Sequence, residues 1–173
     1  GAIARSTGVP DIGLLTLTEV TDRMRQIVES TNLPVIADAD TGFGNEINVK
    51  RTVERFSNAG VAALHIEDQQ FPKRCGHLDG KSLISIEEMK QKIKVAKKYA
   101  GNMMIIARTD AIAVNGFEDA IKRAQAYVEA GADMIFVEAP ETVEQIELIA
   151  EQVPGPKLIN MFHSGKTPLV STV

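Results

Sequence analysis

The single thiol of the chain sits in Lys73-Arg74-Cys75-Gly76-His77, beside three side chains that carry or can acquire positive charge. Such neighbours favour the thiolate, relative to a free thiol whose pKa is about 8.5. An isolated cysteine is ordinarily a small buried hydrophobe. Pro72 on one side and Asp79-Gly80 on the other instead make this a polar stretch that does not suit a core. Cys75 is therefore read as a functional thiol, with Lys73, Arg74 and His77 as the neighbours that favour its ionisation.

Carboxylates supply a second constellation. Asp38 and Asp40 flank one residue ahead of Thr41-Gly42-Phe43-Gly44, and Glu67-Asp68 ends a later apolar run. Acids so placed suit a hard cation such as Mg²⁺, or Mn²⁺ in its place, which takes oxygen ligands and keeps several waters. No His and Cys set has zinc spacing. The plainer reading is that these acids cap helices and pair with Lys or Arg. Arg108 follows a run of Met and Ile, and its planar fork suits bidentate capture of a carboxylate. An ion pair with Asp110 or Glu138 is compatible with that role. His65, inside an apolar run, reads as a structural histidine with its hydrogen bonds satisfied. Met103 and Met104 read as core, and Lys90 to Lys98 as a solvated helix face.

The elements that must position these groups are short. Apolar runs at Leu33 to Ala37, Val61 to Ile66, Met103 to Ala107, Met134 to Val137 and Leu158-Ile159 read as parallel strands. Between them Thr16 with Glu19, Ser85 with Glu88 and Thr142 with Gln145 fit capping boxes. Apolar faces recur at Leu17, Val20, Met24, Ile27 and Val28, at Val49, Val53 and Phe56, and at Phe117, Ile121, Ala124 and Val128. Asn58-Ala59-Gly60 and Glu129-Ala130-Gly131 end helices on a glycine, and a strand follows each at once. Helix–strand alternation permits an open doubly wound sheet or a (β/α)8 barrel. Ionisable or polar groups end every run: Asp38 and Asp40, Glu67, Arg108, Glu138 and Asn160. Such convergence fits a barrel, whose site is built from the C-terminal ends of many strands, better than an open sheet with one switch point.

A complete barrel needs eight strands and about 250 residues, against five runs in 173 residues. The expectation is one domain over residues 1–173: an α/β, partial (β/α)8 barrel of five to six units, with further pieces beyond both ends. The start at Gly1 without an initiator Met agrees with this.

Composition narrows the partners. Net charge is −4 and the pI about 5.4, with no basic stripe for nucleic acid. An acidic protein that binds anions needs local positive charge, from a metal or from a few Arg and Lys. No run of about 18 apolar residues suggests a membrane span, and Gly1 to Arg5 lacks a signal-peptide core. One cysteine permits no internal disulfide and fits a reducing compartment, the cytoplasm.

Six segments in order resemble the isocitrate lyase and phosphoenolpyruvate mutase superfamily. They are Asp38-Ala39-Asp40-Thr41-Gly42-Phe43-Gly44, His65-Ile66-Glu67-Asp68-Gln69, Lys73-Arg74-Cys75-Gly76-His77, Ala107-Arg108-Thr109-Asp110-Ala111, Val137-Glu138-Ala139 and Asn160-Met161. The Lys-Arg-Cys-Gly-His loop is similar to that of the lyase branch, which acts on methylisocitrate- or dimethylmalate-type acids. Phosphonate-processing members generally lack the cysteine. The resemblance implies Mg²⁺ near Asp38 and Asp40, with Glu67 helping through water and Asp11 as another acid of the site. It also implies that Cys75, Gly76, Arg108, Glu138 and Asn160 contact a small carboxylate substrate under a mobile loop, in a homodimer or homotetramer. Val137 stands where methylisocitrate lyases carry Pro, and Phe162 to Lys166 replaces their Thr-Glu-Phe-Gly. Both changes look more like the dimethylmalate-type lyases and the carboxyphosphonoenolpyruvate mutase-like group.

The chemistry implied is a retro-aldol cleavage of a 2-hydroxy di- or tricarboxylate. A 2-oxo acid such as pyruvate leaves, and the enolate that remains takes a proton from Cys75 while Arg108 offsets negative charge. His77 and Glu138 would set the protonation of the thiol. Decarboxylation or hydrolysis of a 2-oxo acid at the same site is the second enzymatic reading, and a catalytically inactive barrel the third.

Overall fold

The computed structural model describes residues 1–74, 80–161, 163 and 165–170. Five parallel strands lie side by side in chain order: β1 (Ile36–Asp38), β2 (Ala63–Glu67), β3 (Met104–Thr109), β4 (Met134–Val137) and β5 (Lys157–Leu158). A doubly wound sheet reverses its strand order at a switch point. Here each strand pairs with the next, so the sheet advances in one direction and curls into a half-barrel.

Strand parity then decides what each residue faces, because successive side chains point to opposite sides. The pairs Ile36↔Ala63, Ile106↔Met134 and Phe136↔Leu158 run across one face, where Ala63, Ile106 and Phe136 form a small inner cluster with Met134 and Leu158. The alternate residues Ala37, Leu64, Ile66, Ile105, Ala107, Ile135 and Val137 join the main core under the helices. Continuing the inner parity upward places Asp38, Glu67, Arg108, Glu138 and Asn160 at the C-terminal rim.

Helices α2 (Leu17–Glu29), α3 (Glu46–Asn58), α4 (Ile86–Tyr99), α6 (Phe117–Glu129) and α7 (Val143–Gln152) cover the outer face, while the short α1 (Ala2–Ser6) lies beside Asp38 and Asp40 and α5 (Ile112–Asn115) follows β3. Thr16 and Glu19 form the expected reciprocal capping box. The Ser85 and Thr142 hydroxyls accept from the Glu88 and Gln145 amides. A box unseen in the sequence opens α3, where Asn45 and Asn48 serve in place of the usual Ser or Thr and Glu. Packed between helices and sheet, Phe56, Ile93 and Tyr127 are fully buried.

Several local expectations change. Leu33 is 75% exposed and β1 starts only at Ile36. Pro34, just before it, has no N–H to give a ladder. Ile27 lies at the rim of the α2 apolar face, 37% exposed. Met103 is core, but Met104 falls on the inner parity and is 40% exposed. Lys90 to Lys98 is not uniformly a solvated face. Lys92 is buried and donates to the Thr41 carbonyl at 3.1 Å, its stem crossing the core to reach the end of the β1 turn.

Candidate active site

The turn after β1 is shaped by unusual backbone. Asp40 and Phe43 have φ of +46° and +60°, a region that costs non-glycine residues about 1–3 kcal/mol and collects at functional sites. Gly42 has φ of +88°, and a Cβ there would lie 2.6 Å from Val49 Cγ2. A side chain is therefore excluded where α3 approaches. The Asp40 N–H donates to Asp38 Oδ1 at 2.9 Å, which ties the two acids together.

Lys73 fills the space in front of them. Its Nζ is 2.7 Å from Asp40 Oδ1 and 2.6 Å from Asp11 Oδ1, with the side chain only 3% exposed. Burial works against its charge, but Glu67, Asp40 and Asp11 more than offset this and push its pKa above the ordinary lysine value. The Gln69 side chain holds the adjoining backbone, with Nε2 donating to the Arg74 carbonyl at 2.8 Å and Oε1 accepting from the Arg74 N–H at 2.9 Å.

Arg108 is a second buried cation facing the pocket. Nε and Nη2 donate to Asp110 Oδ2 at 2.9 Å and Oδ1 at 3.1 Å. Glu67 Oε2 is 3.4 Å from Nε and Glu138 Oε2 3.6 Å from Nη2, while the guanidinium stacks 5.1 Å from the Phe136 ring centroid. Behind it, the Lys81 ammonium donates to Asp110 Oδ1 at 3.2 Å. Burial opposes ionisation of Asp110, and the Arg108 and Lys81 charges overcome it and hold its carboxyl below the usual range.

The acids facing the pocket differ in electrostatic state. Burial pushes the Glu67 carboxyl well above its ordinary value, with Arg108 pulling down and Asp110 and Asp38 pushing up. Asp40 is also raised, by burial and by Asp38, against Lys73. For Asp38, burial is overcome by His65, Arg108, the Asp40 amide and Lys73, which hold it at about 2. Burial, aided by Arg108 and Lys73, keeps His65 below its ordinary value despite the pull of Asp38. At neutral pH the ring is uncharged, so ionised Asp38 depends on Arg108, Lys73 and the amide.

His65 and Asp68 depart from expectation. His65 faces inward, edge-on to Phe136, and its buried Nδ1 has no hydrogen-bond partner among the described residues; Asp38 Oδ1 is 3.6 Å away. It borders the pocket and is not satisfied within the core. Asp68 has outward parity and leaves the candidate cation group. It accepts from the Thr109 hydroxyl (2.7 Å), the Asp110 amide (3.0 Å), the Tyr127 hydroxyl (2.7 Å) and Arg123 (3.1 Å). This network fixes the backbone at the end of β3, and so the base of Arg108.

Asp38, Arg108, Glu138 and Asn160 border one pocket of about 510 Å³, with His65 and Lys73. Asp11 reaches it from the loop before α2. Ala139, with φ of +55°, turns the chain immediately after Glu138. Cys75, Gly76, His77 and Phe162 lie outside the described residues, so the loop expectations stand on sequence alone.

A divalent cation fits the donor set, although no three of these acids stand close enough to hold an ion as they are arranged among the described residues. Glu67 Oε1 is buried with no hydrogen-bond partner among those residues. Asp38 and Asp40 offer further oxygens, and an all-oxygen set with room for water matches Mg²⁺. Gln69, Lys81 and the Asp68–Arg123–Tyr127 network are structural additions to the site. Parity offered a signal for Asp68, which must point opposite to Glu67. Nothing local marks Lys81, which meets its partner Asp110 across 29 residues.

A parallel half-barrel thus carries acids, the Arg108 fork and the buried ammoniums of Lys73 and Lys81 at its C-terminal rim. The phosphoenolpyruvate phosphomutase family matches residues 1–173, and the chain belongs to the phosphoenolpyruvate mutase and isocitrate lyase superfamily. It is 54% identical over 170 residues to 2-methylisocitrate lyase of Halalkalibacterium halodurans, covering 98% of this chain and 57% of that protein. It is 51% identical over 172 residues to 2,3-dimethylmalate lyase of Eubacterium barkeri, covering 98% and 60%. Among solved structures, a 2,3-dimethylmalate lyase superposes with a TM-score of 0.92 at 39% identity, over 98% of this chain and 58% of that one. A phosphonopyruvate hydrolase in complex with oxalate and Mg²⁺ gives 0.78 at 36% identity, over 91% and 55%. The chain thus spans between half and two thirds of the length of the relatives it matches.

Proposed function

We propose that the protein is a Mg²⁺- or Mn²⁺-dependent carbon–carbon lyase that cleaves a 2-hydroxy di- or tricarboxylate to a 2-oxo acid and a second carboxylate. The observation that carries this is the placement of the Arg108 fork beside Asp38, Glu67 and Glu138 on one inner face. Arg108, a cation suited to a carboxylate, and Asp38, an acid suited to a metal, border the same pocket, and this supports the reading. Relatives named 2-methylisocitrate lyase and 2,3-dimethylmalate lyase support the reaction class.

Asp38 and Asp40, with Glu67 through water, would hold the metal. When bound it supplies Lewis-acid polarisation of the substrate's oxygens. Arg108 binds a substrate carboxylate and offsets the negative charge that grows as the C–C bond breaks. Glu138 and Asp110 keep the guanidinium oriented, so little reorganisation is needed at that moment. Asn160 and Gly76 contact the substrate, and Asp11 steadies Lys73 at the pocket wall. A base takes the substrate's hydroxyl proton as the C–C bond breaks, and Cys75 delivers a proton to the enolate, with His77, Lys73 and Glu138 setting the thiol's readiness. The setting we assign is a cytoplasmic homodimer or homotetramer. The single cysteine supports the compartment, and light scattering measures the assembly.

The deciding experiment incubates the intact protein with Mg²⁺ and a panel of 2-methylisocitrate, 2,3-dimethylmalate, isocitrate, oxaloacetate and phosphonopyruvate, with products resolved by mass. Pyruvate or glyoxylate with a matching carboxylate supports the lyase. Turnover confined to oxaloacetate or phosphonopyruvate replaces it with a hydrolase or decarboxylase.

A further inference from the structure

Among the described residues, the acids at the rim outnumber the cations that balance them. Arg108 is engaged by Asp110, Glu67 and Glu138, Lys81 by Asp110, and Lys73 by Asp11 and Asp40. Glu67 Oε1 is buried and has no hydrogen-bond partner among the described residues. An ammonium as deeply covered as Lys73 is tolerated because it is paired on two sides.

We propose that Lys73 is a resident counter-ion of the Asp11–Asp40 pair that a divalent cation displaces on binding. The event that loads the acids thereby turns the ammonium toward the anionic ligand in the pocket. This rests on the metal reading above. The ammonium already uses Asp40 Oδ1 at 2.7 Å, and Mg²⁺ requires oxygens at about 2.0–2.1 Å. Sharing that oxygen would bring two positive centres within about 4 Å of each other, where they repel strongly. Lysine yields readily, because its compact charge rides on a flexible four-carbon stem. The Gln69 clamp on Arg74 lets the side chain withdraw while the adjoining backbone stays in place. Lys73 borders the same pocket as Arg108, so the released charge has an anionic ligand to meet. No bond is made or broken and no proton changes hands.

The test compares metal-stripped wild-type protein with Lys73→Met and Lys73→Arg by calorimetric titration with MgCl2 at fixed ionic strength, alongside thermal melts. Displacement requires Lys73→Met to bind Mg²⁺ at least ten-fold more tightly than wild type and to gain more Tm on loading. Lys73→Arg, which keeps the charge, binds no more tightly than wild type. Wild-type binding with Lys73→Met equal or weaker overturns the displacement and leaves the metal site standing. No Mg²⁺ binding by any of the three removes the metal reading, and the displacement with it. A second measurement needs no variant to fold: reductive methylation of wild-type protein, followed by peptide mass spectrometry. Mg²⁺ should speed labelling of Lys73 several-fold and leave buried Lys92 unchanged; an unchanged or slower rate at Lys73 overturns the proposal.

Discussion

Arg108 and Asp110, two residues apart at the end of β3, are joined by paired hydrogen bonds of 2.9 and 3.1 Å. The carboxylate is fully buried and is itself held by Lys81, while the Asp110 backbone N–H donates to Asp68 Oδ1. The guanidinium is therefore aimed before any ligand arrives, and the aim depends on its planar fork.

Arg108→Lys keeps the charge and loses the fork, so it should lower kcat/KM for cleavage by about 10²-fold or more, on the scale of removing one charge-stabilising donor. Steady-state kinetics on the best substrate of the panel measures this. A variant within five-fold of wild type would remove Arg108 from substrate binding.

Removing the carboxylate of Asp68 leaves Arg123 buried without it. Asp68→Ala is expected to cost about 3–5 kcal/mol of stability. Tyr127→Phe, which deletes one neutral donor to the same oxygen, should cost about 1–2 kcal/mol. Urea unfolding of both variants gives the order, and an equal loss in the two would contradict the network.

Asp38 carries a pH signature. Its folded value of about 2 lies below the ordinary 3.8, so the folded state releases this proton more readily than the unfolded chain. The stabilisation is fully present above about pH 4 and is lost as pH falls toward 2. In chelator, the stability gap between wild type and Asp38→Asn should shrink across that window. A constant gap would show that the carboxylate is not held in its charged form.

Cys75→Ser tests the thiol. The oxygen acid is far weaker, so proton delivery to the enolate should fail and pyruvate release should drop by about 10²–10⁴-fold, the usual reach of general acid catalysis. Near-normal cleavage across the substrate panel would exclude the thiol.

Chelation should abolish cleavage, with Mg²⁺ or Mn²⁺ restoring it and Ca²⁺ doing so poorly, because Ca²⁺ prefers more and longer oxygen bonds. Coupled detection of the 2-oxo acid follows this directly. Full activity in excess chelator would rule out the metal requirement.

Much of the fold was legible because its signals are local. The Thr16–Glu19 box and the Gly60 and Gly131 helix ends appear where their spacing placed them. Polar strand ends pointed to a barrel, and the sequential order of β1 to β5 agrees. Misreadings arose where contacts are distant. Lys92 resembles its solvated neighbours in sequence, yet it reaches a carbonyl 51 residues away. His65 looks like core until its parity shows that it faces the pocket beside Asp38.

Residue type and spacing by themselves determined which groups are available for chemistry: the acids Asp38, Asp40 and Glu67, the fork of Arg108 and the thiol of Cys75. They also determined that strand ends carry the acids and the fork, since hydrophobic runs and caps act over a few residues. Tertiary structure alone decided how the groups are paired. Asp68 turns outward to Arg123 and Tyr127 while its neighbour Glu67 turns inward, and Lys73 crosses 62 residues to lie between Asp11 and Asp40. Such pairings balance buried charge between elements brought together only by the curl of the sheet, and no window of the sequence contains both partners.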